Sequence, residues 1–399
     1  MESAPGAITF AGGFTASGVR AGIKEKGEDV ALIYSERPAS AAGVFTRNLF
    51  KAAPVLVSRD RVPRGTCRAV IANSGNANAC TGEHGMRDAL EAASHTATLL
   101  GIAEEDVLVA STGIIGRRLP MDKLASGIEA AVRSLSAGGG SDAARAIMTT
   151  DTRPKEAAVE IEIAGTKVRI GGMAKGAGMI CPDLATMLAF VTTDASISPE
   201  ILQRCLERSA EVSFNCLTVD GDTSTNDSVF LLANGASGSR PFESEGPDRE
   251  AFQAGLDAVT RSLAKQIASD GEGATKGIMV IVQGAQSYDA CRQIAKTIAN
   301  SPLVKTAMFG CDPNWGRILA AAGRAGVDFD PKAVELRLGD ILVIKGGEPV
   351  DFTEEKAREY LAGREIMVRL AVGESKESAT VWTCDFSYDY VKINAEYHT

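Results

Sequence analysis

Lys175-Gly-Ala-Gly-Met-Ile-Cys-Pro-Asp-Leu-Ala-Thr-Met-Leu-Ala-Phe190 is the stretch around which the rest of the chain is organised. A glycine-rich turn ends at Pro182. The small residue Ala185 then precedes Thr186, which opens an apolar run. This layout suits a chain that cuts itself at the Ala185–Thr186 bond and then uses the freed threonine as a nucleophile. A threonine hydroxyl is a weak nucleophile alone, but its own released α-amine can accept the proton. Such an amine has a reference pKa of about 7.7–8.0, close to the working pH of a general base. The segment therefore points to acyl transfer. A β-branched residue also opens buried strands routinely, so Thr186 taken alone leaves both readings open.

The bulk composition sets the frame. A chain of 399 residues exceeds one average domain, so two or more lobes are expected. Apolar residues make up 45% and charged residues 23%, ordinary values for a soluble globular protein. The net charge is −9 and no basic run appears, which argues against a nucleic-acid partner. Eight cysteines form no C-x-x-C pair and histidines number only three, so neither a metal site nor a disulfide framework is expected. Reduced thiols in a cytoplasmic protein are the simplest reading. The amino terminus, Met1-Glu-Ser-Ala-Pro-Gly6, has no basic region or apolar core, so no signal peptide is visible. No apolar run is long enough to span a membrane.

Outward from Thr186, strand-like runs alternate with helical spacing. Arg68–Ala72 reads as a short strand entering the polar loop Asn73-Ser-Gly-Asn-Ala-Asn-Ala-Cys-Thr-Gly82, with a helix over 85–100. Asp106–Ala110 is a further strand, ending in Ser111-Thr-Gly-Ile-Ile-Gly116. Residues 157–163 and 167–173 alternate around Gly165 as a hairpin, and 186–193 is a buried strand. Ser198-Pro199 starts a helix, with serine as cap and proline in the first turn. Further helices are expected over 249–269, 288–299 and 354–361, and strands dominate the tail. The sum is a mixed α/β (α+β) protein with a large antiparallel component. Its natural division is chemical, an α chain of residues 1–185 and a β chain of 186–399, in one intertwined body.

The whole pattern resembles the ornithine acetyltransferase family, the glutamate N-acetyltransferases of arginine biosynthesis. Its motifs recur in order: KGAGMICPDLATML at 175–188, NSGNANACTG at 73–82, STGIIG at 111–116, DGEGATK at 270–276, DPNWGR at 312–317 and NAEYHT at 394–399. Asp183 and Leu184 depart from the family's usual asparagine and methionine. Both precede the nucleophile and leave its chemistry intact.

The resemblance implies a fold like that of the self-cleaving aminopeptidases, with mixed and antiparallel sheets packed against helices. It implies self-cleavage at Ala185–Thr186, then transfer of acetyl from N-acetylornithine to Thr186 and on to glutamate. The Thr112 hydroxyl and the Gly113 N–H correspond to the oxyanion hole. Thr150, Lys175, Thr186, Glu272, Asn394 and Thr399 correspond to substrate-binding positions. By chemistry alone either Thr149 or Thr150 could serve; the resemblance favours Thr150. No metal or prosthetic group is implied, since an acetyl group only changes hands, and acetyl-CoA is an optional second donor. A heterotetramer of two α and two β chains is implied. The rival reading is an aminopeptidase or amidohydrolase of the same fold, with water as acceptor. A binding protein without turnover is a third.

Cys181 has no histidine near it in sequence and reads as structural. His84 and His95 read as ordinary helix or loop histidines, and DPNWGR as a structural corner with Trp315 packed and Arg317 paired. NSGNANACTG reads as a scaffold.

Overall fold

Two strands open the fold ahead of the first run singled out above. β1 (Phe14–Val19) and β2 (Val30–Phe45) pair antiparallel, with Phe14 opposite Ser35 and Val19 opposite Val30. The structure, a computed structural model, describes residues 5–181, 187–242 and 246–396. Ala185, Thr186 and Thr399 therefore lie outside the described residues. By backbone contacts the chain forms two compact units, one from residues 1–215 and 222–263, the other from 216–221 and 264–398.

In the first unit β3 (Arg64–Asn76) and β4 (Val107–Ile114) run parallel, joined through the helix Gly82–Leu100. β5 (Lys155–Ile163) and β6 (Thr166–Lys175) form the expected hairpin. Its two-residue turn has positive φ at both Ala164 and Gly165, the geometry that matches strand twist. β7 (Leu188–Thr193) and β8 (Ser228–Ala233) are parallel, and the helix Pro199–Glu211 lies between them in sequence. The Ser198 hydroxyl caps that helix by accepting from Ile201 N–H.

The sheet order is β4-β3-β2-β8-β7-β6-β5, with β1 on β2. Every residue of β7 and β8 is buried, as befits central strands read as continuous apolar runs. Period-2 alternation splits the neighbouring strands between two cores. Ile33, Val70, Ala72, Leu108 and Ala110 pack with Phe190 and Phe230. Leu32, Ala69, Ile71, Val107 and Val109 face Ala89, Ala93, Leu124 and Ile128 of the covering helices.

The second unit has its own sheet: β9 (Gly277–Gln283), β10 (Glu335–Leu338), β11 (Ile341–Lys345), β12 (Glu348–Pro349), β13 (Glu365–Ala371) and β14 (Ser378–Cys384), in the order β12-β11-β10-β13-β9-β14. Only β13 and β9 pair parallel. Ile278, Val280 and Val282 meet Ile294 and Ile298 of the helix Tyr288–Ala299 in its core. The mixed α/β class read from the sequence holds.

The loop expected at 73–82 is corrected in part. Asn73–Asn76 belongs to β3, because Ser111–Ile114 of β4 continues alongside it. Side-chain bonds stand in for apolar packing there: Ser111 Oγ donates to Asn73 Oδ1 at 2.6 Å, and Asn73 Nδ2 to Asn76 O at 2.9 Å.

Candidate active site

The paired ends of β3 and β4 make the first corner of the site. Gly113 has φ +132°, and a Cβ there would sit 2.3 Å from the Gly75 carbonyl carbon, so only glycine fits. Thr112, 6% exposed, precedes it. Behind this corner Asn226 Nδ2 donates to Ala77 O at 2.5 Å and to Ser111 O at 2.8 Å, fixing the backbone that carries Thr112.

Lys175 is the last residue of β6 and only 3% exposed. Its Nζ donates to Thr112 Oγ1 at 3.1 Å. A cation donating to a hydroxyl oxygen turns the hydroxyl hydrogen outward and strengthens it as a donor. Lys175 stands opposite Leu188 in the β6–β7 ladder, two positions after Thr186 in sequence. Met187, next after Thr186, is anchored by its N–H to Asp227 Oδ1 at 2.8 Å.

Asp151 organises the floor. It accepts from Lys155 Nζ at 2.5 Å, Gly176 N–H at 2.7 Å and Thr149 N–H at 2.9 Å. The Asp151 and Lys155 side chains are both fully buried. Burial pushes the carboxyl upward, but the Lys155 and Lys175 ammonium groups and these hydrogen bonds outweigh it and hold Asp151 at about 2. Thr150, half-buried, sits between Thr149 and this carboxylate.

Glu272 and Asn394 lie in the second unit. Asn394 Nδ2 donates to Glu272 Oε2 at 2.9 Å, and Glu272 is 9% exposed. The loop around Glu272 is pinned to the carboxy-terminal chain. Asp385 accepts from Thr275 N–H at 2.8 Å and Lys276 N–H at 3.0 Å, and Ser387 Oγ donates to Gly273 O at 2.5 Å. Gly273 has φ +66°, and a Cβ there would lie 2.4 Å from the Tyr390 nitrogen.

The structure thus brings Thr112, Gly113, Thr150 and Lys175 together in the first unit and joins Glu272 to Asn394 in the second. Asp151, Asn226 and Asp227 were missed by the sequence reading. Asp151 follows Thr150 directly, and that adjacency was the available signal. The NSGNANACTG segment is a scaffold: Asn78 Nδ2 donates to Gly85 O at 2.8 Å and Asn76 Nδ2 to Arg118 O at 3.0 Å. In DPNWGR, Asn314 caps the helix Trp315–Gly323 and Arg317 donates to Leu303 O at 3.0 Å. His84 contacts Arg87, and His95 lies 3.9 Å from Glu129. Among the described residues no cluster of three or more His, Cys, Asp or Glu is placed to hold a metal, and no helix is long and apolar enough to cross a membrane.

Comparison with known proteins follows the same lines. The ArgJ family model matches residues 15–399. The arginine biosynthesis bifunctional protein ArgJ of Symbiobacterium thermophilum is 52% identical over 402 residues, covering 100% of both chains. Its counterpart from Dehalococcoides mccartyi is 50% identical over 99% of this chain and 98% of its own. Among solved structures, arginine biosynthesis bifunctional protein ArgJ from Bacillus halodurans is 42% identical with a TM-score of 0.51, over 52% of this chain and 98% of the solved one. The chain belongs to the ArgJ family.

Proposed function

We propose that this protein is a self-processing acetyltransferase of arginine biosynthesis. It moves acetyl from N-acetylornithine to glutamate through an acetyl-Thr186 ester, and accepts acetyl-CoA as a second donor. The observation that carries the proposal is the Lys175–Thr112 contact at 3.1 Å, with Lys175 paired to Leu188 just beyond the cleavage segment. The relatives are bifunctional proteins of arginine biosynthesis, which supports the same reaction.

The Thr186 hydroxyl attacks the acetyl carbonyl of N-acetylornithine while its α-amine takes the hydroxyl proton. The tetrahedral oxyanion is met by the Thr112 hydroxyl and the Gly113 N–H. The carbon–nitrogen bond then breaks, ornithine leaves with the proton, and the acetyl ester remains. The glutamate amine attacks that ester, Thr186 Oγ regains a proton, and N-acetylglutamate departs. Oxidation levels do not change, so the chemistry calls on no prosthetic group or metal. Thr150, Lys175, Glu272, Asn394 and Thr399 serve as substrate ligands.

Cleavage at Ala185–Thr186 divides the chain into 185 and 214 residues. The solved Bacillus halodurans chain, matched almost entirely by 52% of this one, has the length of such a half. An assembly of two α and two β chains in the cytoplasm completes the proposal. The eight cysteines, all free thiols, fit that compartment.

Intact-mass analysis before and after addition of N-acetylornithine tests the reading. Two fragments dividing at Ala185–Thr186, with one acetyl gained by the Thr186 fragment and passed on to added glutamate, are expected. An uncut chain that never gains acetyl would overturn it. Loss of the acetyl to water at the same rate without glutamate would favour the hydrolase.

A further inference from the structure

A third lysine stands at the catalytic corner. Lys24 lies in the loop between β1 and β2, whose shape is set by the buried Asp29: its carboxylate accepts from Ala21 N–H at 2.5 Å, Ile23 N–H at 2.6 Å and Lys24 N–H at 3.0 Å. The Lys24 stem lies on Gly75, where an added Cβ would come within 2.6 Å of Lys24 Cγ. Gly75 is the ladder partner of Gly113, the oxyanion glycine. Beyond Gly75, Lys24 Nζ reaches the chain that leads into Thr150 and donates to Met148 O at 2.8 Å. A positive head is thus held between the oxyanion strand and the Thr149–Asp151 segment.

Of the other two lysines of this corner, Lys175 donates to Thr112 and Lys155 pairs with Asp151. Lys24 is half-buried, and an ammonium carries three donors, of which the Met148 carbonyl engages one. Burial lowers its pKa from the ordinary lysine value. Asp29 and Glu28 oppose that shift, Lys175 adds to it and Asp151 opposes it, so all four groups lie within electrostatic reach. Two of the three Lys24 donors therefore remain for a bound carboxylate.

We infer that Lys24 is a substrate-binding residue that takes the α-carboxylate common to the acetyl donor and the acetyl acceptor. This rests on the acetyl transfer proposed above. Both N-acetylornithine and glutamate carry a carboxylate beside the nitrogen that loses or gains the acetyl group. A single cation near the oxyanion corner serves both half-reactions.

The test compares N-acetylornithine with its methyl ester, in which the carboxylate is masked, as acetyl donors to the wild type and to Lys24→Met. Uptake is read by mass, and self-cleavage of the variant reports its fold. The wild type should favour the free acid by roughly 10- to 100-fold in KM, the range of a charge-assisted hydrogen bond. In Lys24→Met that preference should shrink toward unity while kcat moves much less. The glutamate KM should rise by a similar factor. A wild type indifferent to the ester, or a variant that keeps the full preference, would overturn the assignment. If Lys24→Met fails to cleave, Lys24→Gln supplies the same comparison, and the wild-type preference stands as a test without any variant. If the wild type takes acetyl from neither donor, the reaction itself fails. Calorimetry with ornithine against ornithine methyl ester then decides Lys24 alone: equal binding of the two by the wild type would overturn it.

Discussion

At the scale of single residues, two contacts carry the proposed chemistry: a lysine on a threonine hydroxyl and a glycine wedged against a glycine. Thr112→Ala removes one proposed oxyanion donor and should lower kcat by about 10²–10³ with little change in KM, read by steady-state kinetics. Gly113→Ala combines a positive φ with a 2.3 Å clash, so both activity and stability should fall. A variant with the wild-type melting temperature and kcat would refute that reading of the corner. Asp151 makes a pH prediction. Its carboxyl is held at about 2 against an ordinary 3.8, a depressed value, so its contribution is complete above the ordinary pKa and is lost as pH falls toward 2. Asp151→Asn should lose stability at neutral pH by about 3–5 kcal/mol, because Lys155 is left buried without its partner. Urea titrations across pH 2–5 should show a shallower acid limb in the variant, and an identical limb would sink the idea. The family resemblance points to Lys175 as a substrate-binding position. Only the folded chain reveals Thr112 of β4, 63 positions away, as the group its ammonium touches. Lys24 carries no local signal, since its partners Gly75 and Met148 come from elements distant in sequence.

At the scale of elements, helices were legible where caps and apolar spacing agree. Tyr288–Ala299 and Glu354–Leu361 fall where the pattern places them, the first capped by Ser287 accepting from Ala290 N–H. The extension of β3 through Asn73–Asn76 was hidden, because side-chain amides do there what apolar residues usually do. The carboxy-terminal helix Tyr388–Glu396 was hidden for another reason: it buries no residue, so no apolar face announces it. What holds it is the distant loop at 272–273, through Ser387 to Gly273 and Asn394 to Glu272, and Phe386 stacked on Tyr390 at 4.6 Å between centroids. Removing residues 394–399 should therefore spare the second unit's core while stripping Glu272 of its Asn394 partner. We expect loss of most acetyl transfer, with circular dichroism close to wild type. Full turnover by the truncated protein would show that neither Asn394 nor Thr399 binds substrate.

At the scale of the whole chain, the proposed cleavage point and the sheet obey different divisions. β7 and β8 follow Thr186 in sequence, yet they occupy the centre of the eight-stranded sheet. β7 is bonded to β6 over six register pairs, Ile170 opposite Thr193 through Lys175 opposite Leu188. β8 is bonded to β2 over six more, Ser40 opposite Ala233 through Phe45 opposite Ser228. Cutting one peptide bond removes none of these ladders. Separating the fragments would expose Leu188, Phe190, Val191, Val229, Phe230, Leu231 and Leu232, each at most 2% exposed. At about 1.5–3 kcal/mol per fully buried large apolar side chain, that costs roughly 10 kcal/mol or more. The cleaved protein should therefore elute from a sizing column as a single species containing both fragments, which part only in denaturant. Either fragment expressed alone should be insoluble or unfolded, because residues 1–185 lack the two central strands and residues 186–399 leave β7 and β8 without their antiparallel neighbours. Fragments that separate in native buffer, or fold independently, would mean that the sheet does not survive cleavage as a single structure.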